Sequence, residues 1–194
     1  MLTVYIDFKS PGAYLALKPT LALAERLGLD IEWRPYRTVE RDVPKLGKEE
    51  TVGESHRRVR AASQRALMIK YAALQGIDLK YPARLGDTDL ALGVLAQIEG
   101  DRLPFIQAAF AAYWDEHADL NDPDVVRALM KVSGTLDERA LANGLEALER
   151  ATVEADDGGI VGAPGYVIDE QIFIGREHLP WIEEIARKEI AAKA

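Results

Sequence analysis

The stretch from Leu2 to Tyr14 constrains this chain more than any other, because it reads as a short buried strand that breaks at Ser10-Pro11-Gly12 and re-emerges as a helix. Leu2, Val4, Ile6 and Phe8 alternate with Thr3, Tyr5 and Asp7, and both sets are rich in β-branched or aromatic side chains, as a largely buried strand requires. Ser10 is a preferred helix cap. Pro11 suits the first helical position, where its missing N–H would have no intrahelical partner anyway, and an apolar run from Ala13 to Leu27 supplies the helix body. A strand feeding a helix N-terminus makes an anion site. Unpaired N–H groups and the positive end of the helix dipole face the place where a thiolate, carboxylate or phosphate is held, and Ser10 adds a hydroxyl donor there.

A Ser-Pro helix start is ordinarily a cap and nothing more, so its context decides whether it does chemistry. In thioredoxin-like oxidoreductases the same strand, turn and helix carry a Cys-x-x-Cys pair, with the first cysteine at the helix start. Here Ser10 and Ala13 stand at that spacing, and the chain contains no cysteine at all. Such a protein cannot run disulfide chemistry of its own. If the scaffold is retained, the sulfur must come from outside, and glutathione is the obvious carrier.

The rest of the sequence extends this unit. Leu27-Gly28 ends the first helix, and Asp30 to Tyr36 reads as a second strand, with Pro35 at its fraying end. Strand, helix and strand within about 35 residues form a βαβ unit, which requires a parallel pair. Thr38 to Gly53, broken by Pro44, Gly47 and Gly53, reads as a long loop. Helices are expected over Glu54–Leu74, Asp87–Ile98, Leu103–His117 and Pro123–Val132, and one or two more over Asp137–Ala155. Val59, Leu67, Tyr71 and Leu74 lie near helical spacing in the first of these. Towards the end, Tyr166–Ile168, a two-residue Asp169-Glu170 turn and Gln171–Ile174 make a hairpin flanked by glycines, followed by a helix from Arg176 to about Ala192 that buries Leu179, Ile182, Ile185 and Ala186. The expected architecture is α/β: a four-stranded mixed sheet with an all-helical insertion. Residues 1–37 and 156–194 would form the sheet domain and residues 38–155 the insertion, in one compact unit.

Composition limits the partners. The net charge of −8 argues against nucleic acid and anionic membranes, so an anionic ligand needs a local basic cluster. The only concentrated basic stretch is His56-Arg57-Arg58, continuing to Arg60 and Arg65; it reads either as a solvated helix face or as a carboxylate trap. Three scattered histidines give no metal-ligand spacing, so no metal is expected, and His117 reads as a late helix residue favouring the dipole's negative end. No run approaches the roughly 18 apolar residues of a spanning helix, and no targeting segment is seen, which makes the cytoplasm the expected location.

Two stretches carry a family resemblance. Val4-Tyr-Ile-Asp-Phe-Lys-Ser-Pro-Gly-Ala-Tyr-Leu-Ala16 resembles the opening of the 2-hydroxychromene-2-carboxylate isomerase and kappa-class glutathione transferase family. Gly159 to Ile168, with Phe173-Ile-Gly-Arg-Glu-His-Leu179, resembles its closing motif. The middle also follows the family layout, including Gly76-Ile77 and Tyr81-Pro82.

The resemblance implies a thioredoxin-like fold, glutathione as cofactor, a small aromatic carboxylate or other electrophile as substrate, and a homodimer. It assigns Ser10 to the glutathione sulfur and the backbone of Ala163, before a cis Pro164, to the cysteinyl unit. Arg176 and Glu177 fall where the family binds the γ-glutamyl end, although Glu177 is one methylene longer than the usual Asp. His178 replaces a usual Arg, Gly165 replaces a usual Thr, and His56 is the nearest counterpart of a loop Asn. Lys9, Tyr14 and Arg34 are either substrate neighbours or sheet-edge surface. The implied chemistry is addition of a glutathione thiolate to an electron-poor double bond, with elimination giving an isomerase and retention a transferase. A non-catalytic thioredoxin-like binding protein remains the alternative.

Overall fold

β1 (Leu2–Ile6) is buried on both faces, and the remaining strands are laid against it. In the computed structural model, which describes residues 1–39, 51–82, 85–134 and 138–193, β1 is followed by α1 (Pro11–Leu27) and β2 (Ile31–Pro35). β2 pairs parallel to β1, with Val4 opposite Trp33, as the βαβ reading requires. The hairpin β3 (Gly165–Ile168) and β4 (Gln171–Ile174) adds antiparallel on the other side, giving the order β2-β1-β3-β4. Asp169 and Glu170, with φ of 47° and 60°, form the left-handed two-residue turn that matches strand twist. This is a four-stranded mixed sheet of thioredoxin-like type with helices on both faces.

The chain divides into two compact units, residues 1–38 with 81–194, and residues 39–80. The larger unit holds the sheet, α1, α3 (Asp89–Gln97), α4 (Leu103–Trp114), α5 (Pro123–Ser133), α6 (Glu138–Ala142), α7 (Gly144–Asp157) and α8 (Leu179–Lys193). α3 and α7 touch backbone to backbone at Gly93 and Gly144. Tyr5 and Tyr36 pack with Ala155 of α7 and with Ile160 on one side of the sheet. On the other, the Tyr166 hydroxyl of β3 and the Thr20 hydroxyl of α1 lie 3.1 Å apart in the core.

The smaller unit holds α2 (Val52–Leu74), started by a capping box in which Thr51 and Glu54 bond each other's backbone N–H. Of its residues only Ala72 is buried, and Val59, Leu67 and Leu74 are exposed. The loop expected over Thr38–Gly53 lies mostly outside the described residues. Three expectations are corrected. α4 ends at Trp114, and His117 stands beyond it in a left-handed turn with φ of 56°. The final helix starts at Leu179 after a single 3-10 turn at Arg176–His178, because Pro180 has no N–H to give Arg176 an α-helical bond. Ile185 of that helix is half-buried rather than buried. No helix among the described residues is long and apolar enough to cross a membrane.

Candidate functional site

The head of α1 forms as its sequence dictates. Ser10 has extended backbone angles, its Oγ accepts from the Ala13 N–H at 3.2 Å, and Pro11 occupies the first turn. The same Oγ donates to the carbonyl oxygen of Ala163 at 2.8 Å. The Ala163–Pro164 peptide bond is cis, as expected. Gly12 makes this approach possible, since a Cβ there would stand 3.3 Å from Pro164 Cδ and 3.6 Å from Ser10 Oγ. Its N–H has no acceptor among the described residues and, beside the Ser10 hydroxyl, completes a pair of donors at the positive end of a 17-residue helix.

Gly165, where the family resemblance would place a Thr, is set by packing. A Cβ there would lie 3.0 Å from the Gly162 carbonyl oxygen and 3.2 Å from Ile160, while the residue pairs with Tyr5 in the ladder. Gly175 is fixed by conformation, with φ of 106°, and its bare Cα leaves room for the Glu177 carboxylate, which folds back over it. Glu177 is exposed, in the 3-10 turn rather than in the last helix. Arg176 points elsewhere, its guanidinium lying 3.4 Å from the Leu15 carbonyl oxygen. That carbonyl's helical partner would have been the missing N–H of Pro19, so Arg176 braces α1 where proline interrupts its ladder.

An aromatic wall adjoins the Ser10 turn. Tyr14, one turn along α1, stacks on Trp114 at 5.7 Å and 14°, and Trp114 Nε1 donates to the Phe8 carbonyl at 2.9 Å. The Tyr14 hydroxyl donates to Asp115 at 3.2 Å. Burial, together with that carboxylate, pushes the Tyr14 phenol up to about 12, so it stays neutral at ordinary pH. Arg34 is committed to Glu32 and Glu154 on the sheet edge.

Asp7, at the end of β1, is completely buried. Its Oδ1 accepts from Lys9 N and Thr88 Oγ1, and its Oδ2 from Thr38 N and Thr38 Oγ1. The Asp7 carbonyl oxygen also takes the Ser10 N–H at 3.0 Å. Sequence reasoning passed over Asp7 and Trp114. The signal for Asp7 was an acid between Ile6 and Phe8 in an otherwise apolar buried strand; for Trp114 there was none, because its partner is 106 residues away. Beside this node, Arg37 pairs with Asp89 and Glu149. Burial and the neighbouring Asp87 raise the Asp89 carboxyl, which Arg37 partly offsets.

Of the residues singled out in the sequence, Ser10, Ala163 and Pro164 are thus brought together, Glu177 and Arg176 follow the adjoining hairpin, and His56 is exposed on α2 of the smaller unit. A cleft of about 760 Å³ opens at the other end of the sheet, lined by Leu21, Trp33 and Arg102 among others. Arg102 is engaged there with the Ile98 and Trp33 carbonyls, and no arrangement comparable to the Ser10 turn is present.

A helix-capping serine set against a cis-proline loop, on a sheet ordered β2-β1-β3-β4, defines a protein of the thioredoxin-like class. Residues 1–185 match the model of the DSBA-like thioredoxin domain, and the chain belongs to that family. It is 30% identical over 189 residues to a 2-hydroxychromene-2-carboxylate isomerase of Sphingobium xenophagum, covering 92% of this chain and 94% of the relative. Among solved structures, a 2-hydroxychromene-2-carboxylate isomerase superimposes with a TM-score of 0.73 at 20% identity, covering 99% of this chain and 96% of the other. The cytosolic disulfide reductase DsbM of Pseudomonas aeruginosa, in a structure with GSH, gives 0.62 at 15% identity, covering 100% and 99%.

Proposed function

We propose that this protein is a glutathione-dependent isomerase acting on a small unsaturated aromatic carboxylate, like the 2-hydroxychromene-2-carboxylate isomerase it resembles in sequence. The observation that carries the reading is the Ser10 hydroxyl, held at a helix N-terminus against Ala163, in a chain without cysteine. A hydroxyl and a helix dipole favour a thiolate, and here the sulfur has to arrive on a ligand. Glutathione bound there supplies a thiolate that adds reversibly to an electron-poor double bond.

The residues fit such a ligand. Ser10 Oγ–H turns from the Ala163 carbonyl to the sulfur by rotation about one bond, while Oγ keeps accepting from Ala13. Gly12 N–H adds a second donor, and the Ala163 backbone lies alongside for an extended cysteinyl unit. Glu177 offers an exposed carboxylate for the γ-glutamyl ammonium. Arg176, braced against Leu15, is the member of the expected set that fits least well, and this favours the competing reading of a thioredoxin-like binding protein.

The test is incubation with 2-hydroxychromene-2-carboxylate with and without glutathione, followed spectroscopically. Conversion to the open-chain isomer only when glutathione is present, with glutathione recovered unchanged, supports the reading. A glutathione adduct as end product makes the protein a transferase, and no turnover leaves it a binding protein.

A further inference from the structure

We propose that Lys9 anchors the carboxylate of the electrophilic substrate beside the Ser10 turn. This rests on the glutathione-dependent reading above and names the residue that would give that site its preference for an anionic substrate.

Lys9 directly precedes Ser10, and its side chain is only 13% exposed, so most of it is withdrawn from water. The sequence left it as substrate neighbour or sheet-edge surface; this burial rules out the second. An ammonium carries three donors and is costly to desolvate unless they find acceptors. The acid nearest to it is Asp7, whose Oδ2 lies 3.9 Å from Nζ, beyond hydrogen-bond distance. Asp7 has no capacity to spare, since its two oxygens already accept from Lys9 N, Thr88 Oγ1, Thr38 N and Thr38 Oγ1. Asp89, the other acid whose charge Lys9 feels, is paired with Arg37 at 3.3 Å. Among the described residues the Lys9 ammonium therefore makes no hydrogen bond.

The ion pair with Asp7 at 3.9 Å holds the side chain in place without taking a hydrogen bond from it, which leaves its donors for an incoming acceptor. A carboxylate supplies two oxygens and cancels the charge in a partly dried site, where a charge-assisted bond counts for more than in water. The ammonium reaches the ends of β1 and β2 near Thr38, whereas Ser10 and Ala163 lie on the β3 side of β1. A ligand carboxylate at Lys9 and a thiol at Ser10 thus take different places and do not compete.

The test uses cinnamate and cinnamamide, an unsaturated aromatic carboxylate and its uncharged isostere, neither of which accepts a thiol readily. Calorimetric titration of the parent protein, with and without glutathione, is expected to show cinnamate bound about 10-fold to 100-fold more tightly than cinnamamide, a preference that weakens with salt. Lys9→Met and Lys9→Gln should erase that preference, Lys9→Arg should retain most of it, and all three should bind glutathione as the parent does. Equal affinity of the parent for the two probes, no measurable cinnamate binding, or a preference that survives Lys9→Met overturns the proposal. If Lys9 serves only to balance Asp7, its replacement lowers the unfolding temperature and leaves the preference intact. A parent that selects cinnamate but does not bind glutathione sinks the glutathione reading and keeps the anion anchor, so the two failures are distinct.

Discussion

The Ser10 hydroxyl donates to the Ala163 carbonyl oxygen across 2.8 Å, joining the start of α1 to the loop before β3, two segments 153 residues apart. Ser10 Oγ in turn accepts the Ala13 N–H, so one side chain both caps the helix and ties the two halves of the sheet together. Ser10→Ala removes both bonds. The cap contributes about 1 kcal/mol and the cross-link about 1 kcal/mol more, so urea unfolding should show a loss of about 2 kcal/mol with an unchanged m-value. A loss near zero would mean that neither bond persists in solution.

Glu177 tests whether a longer acid still holds the γ-glutamyl end. Glu177→Gln should weaken glutathione by about 1–3 kcal/mol while hardly affecting an analogue that lacks the γ-glutamyl amino group. Gly175→Ala should imitate this selectively, because its Cβ would collide with the Glu177 carboxylate and the residue would have to keep a φ of 106°. Equal losses for both ligands would show that the residue acts through local structure instead.

Three phenols set the alkaline limit. Burial with Asp115 holds Tyr14 at about 12, burial with Asp156 holds Tyr36 at about 12, and burial holds Tyr166 at about 12, all above the ordinary 10.0. The native state thus keeps protons that the unfolded chain releases first. Stability from this source is complete below pH 10.0 and falls as the pH rises through about 12. Urea midpoints measured across that range should decline, and Tyr14→Phe should decline less steeply.

Gly93 and Gly144 make an asymmetric pair. A Cβ on Gly93 would fall within the backbone of Gly144, whereas one on Gly144 would meet Gly93 at an ordinary 3.6 Å. Gly93→Ala should therefore cost about 3 kcal/mol or more, since a backbone cannot step aside as a side chain can. Gly144→Ala should cost much less, and equal effects in thermal unfolding would contradict this helix contact.

Local signals made much of this fold legible. The Ser10-Pro11 start, the left-handed Gly28 that ends α1 and the glycine-flanked hairpin act within a few residues of themselves, and the elements they mark form where expected. Features that depend on distant partners were hidden. Asp7 reads as one polar residue in a strand until Thr38 and Thr88, 31 and 81 residues away, are seen to bond it. The apolar residues of α2 lie at helical spacing, yet only Ala72 is buried, because periodicity shows which residues share a face and not what covers it. The turn of Arg176 towards Leu15 likewise follows from Pro19, more than 150 residues earlier in the chain.

The central claim is that Ser10 stabilises the thiolate of a bound glutathione, and ultraviolet titration of that thiolate on the protein tests it most directly. The parent should bind glutathione with its thiol pKa below that of the free tripeptide, and Ser10→Ala should bind it with the pKa raised by about one to two units relative to the parent. A bound thiol that titrates identically in parent and variant would reduce Ser10 to a helix cap and contradict the account.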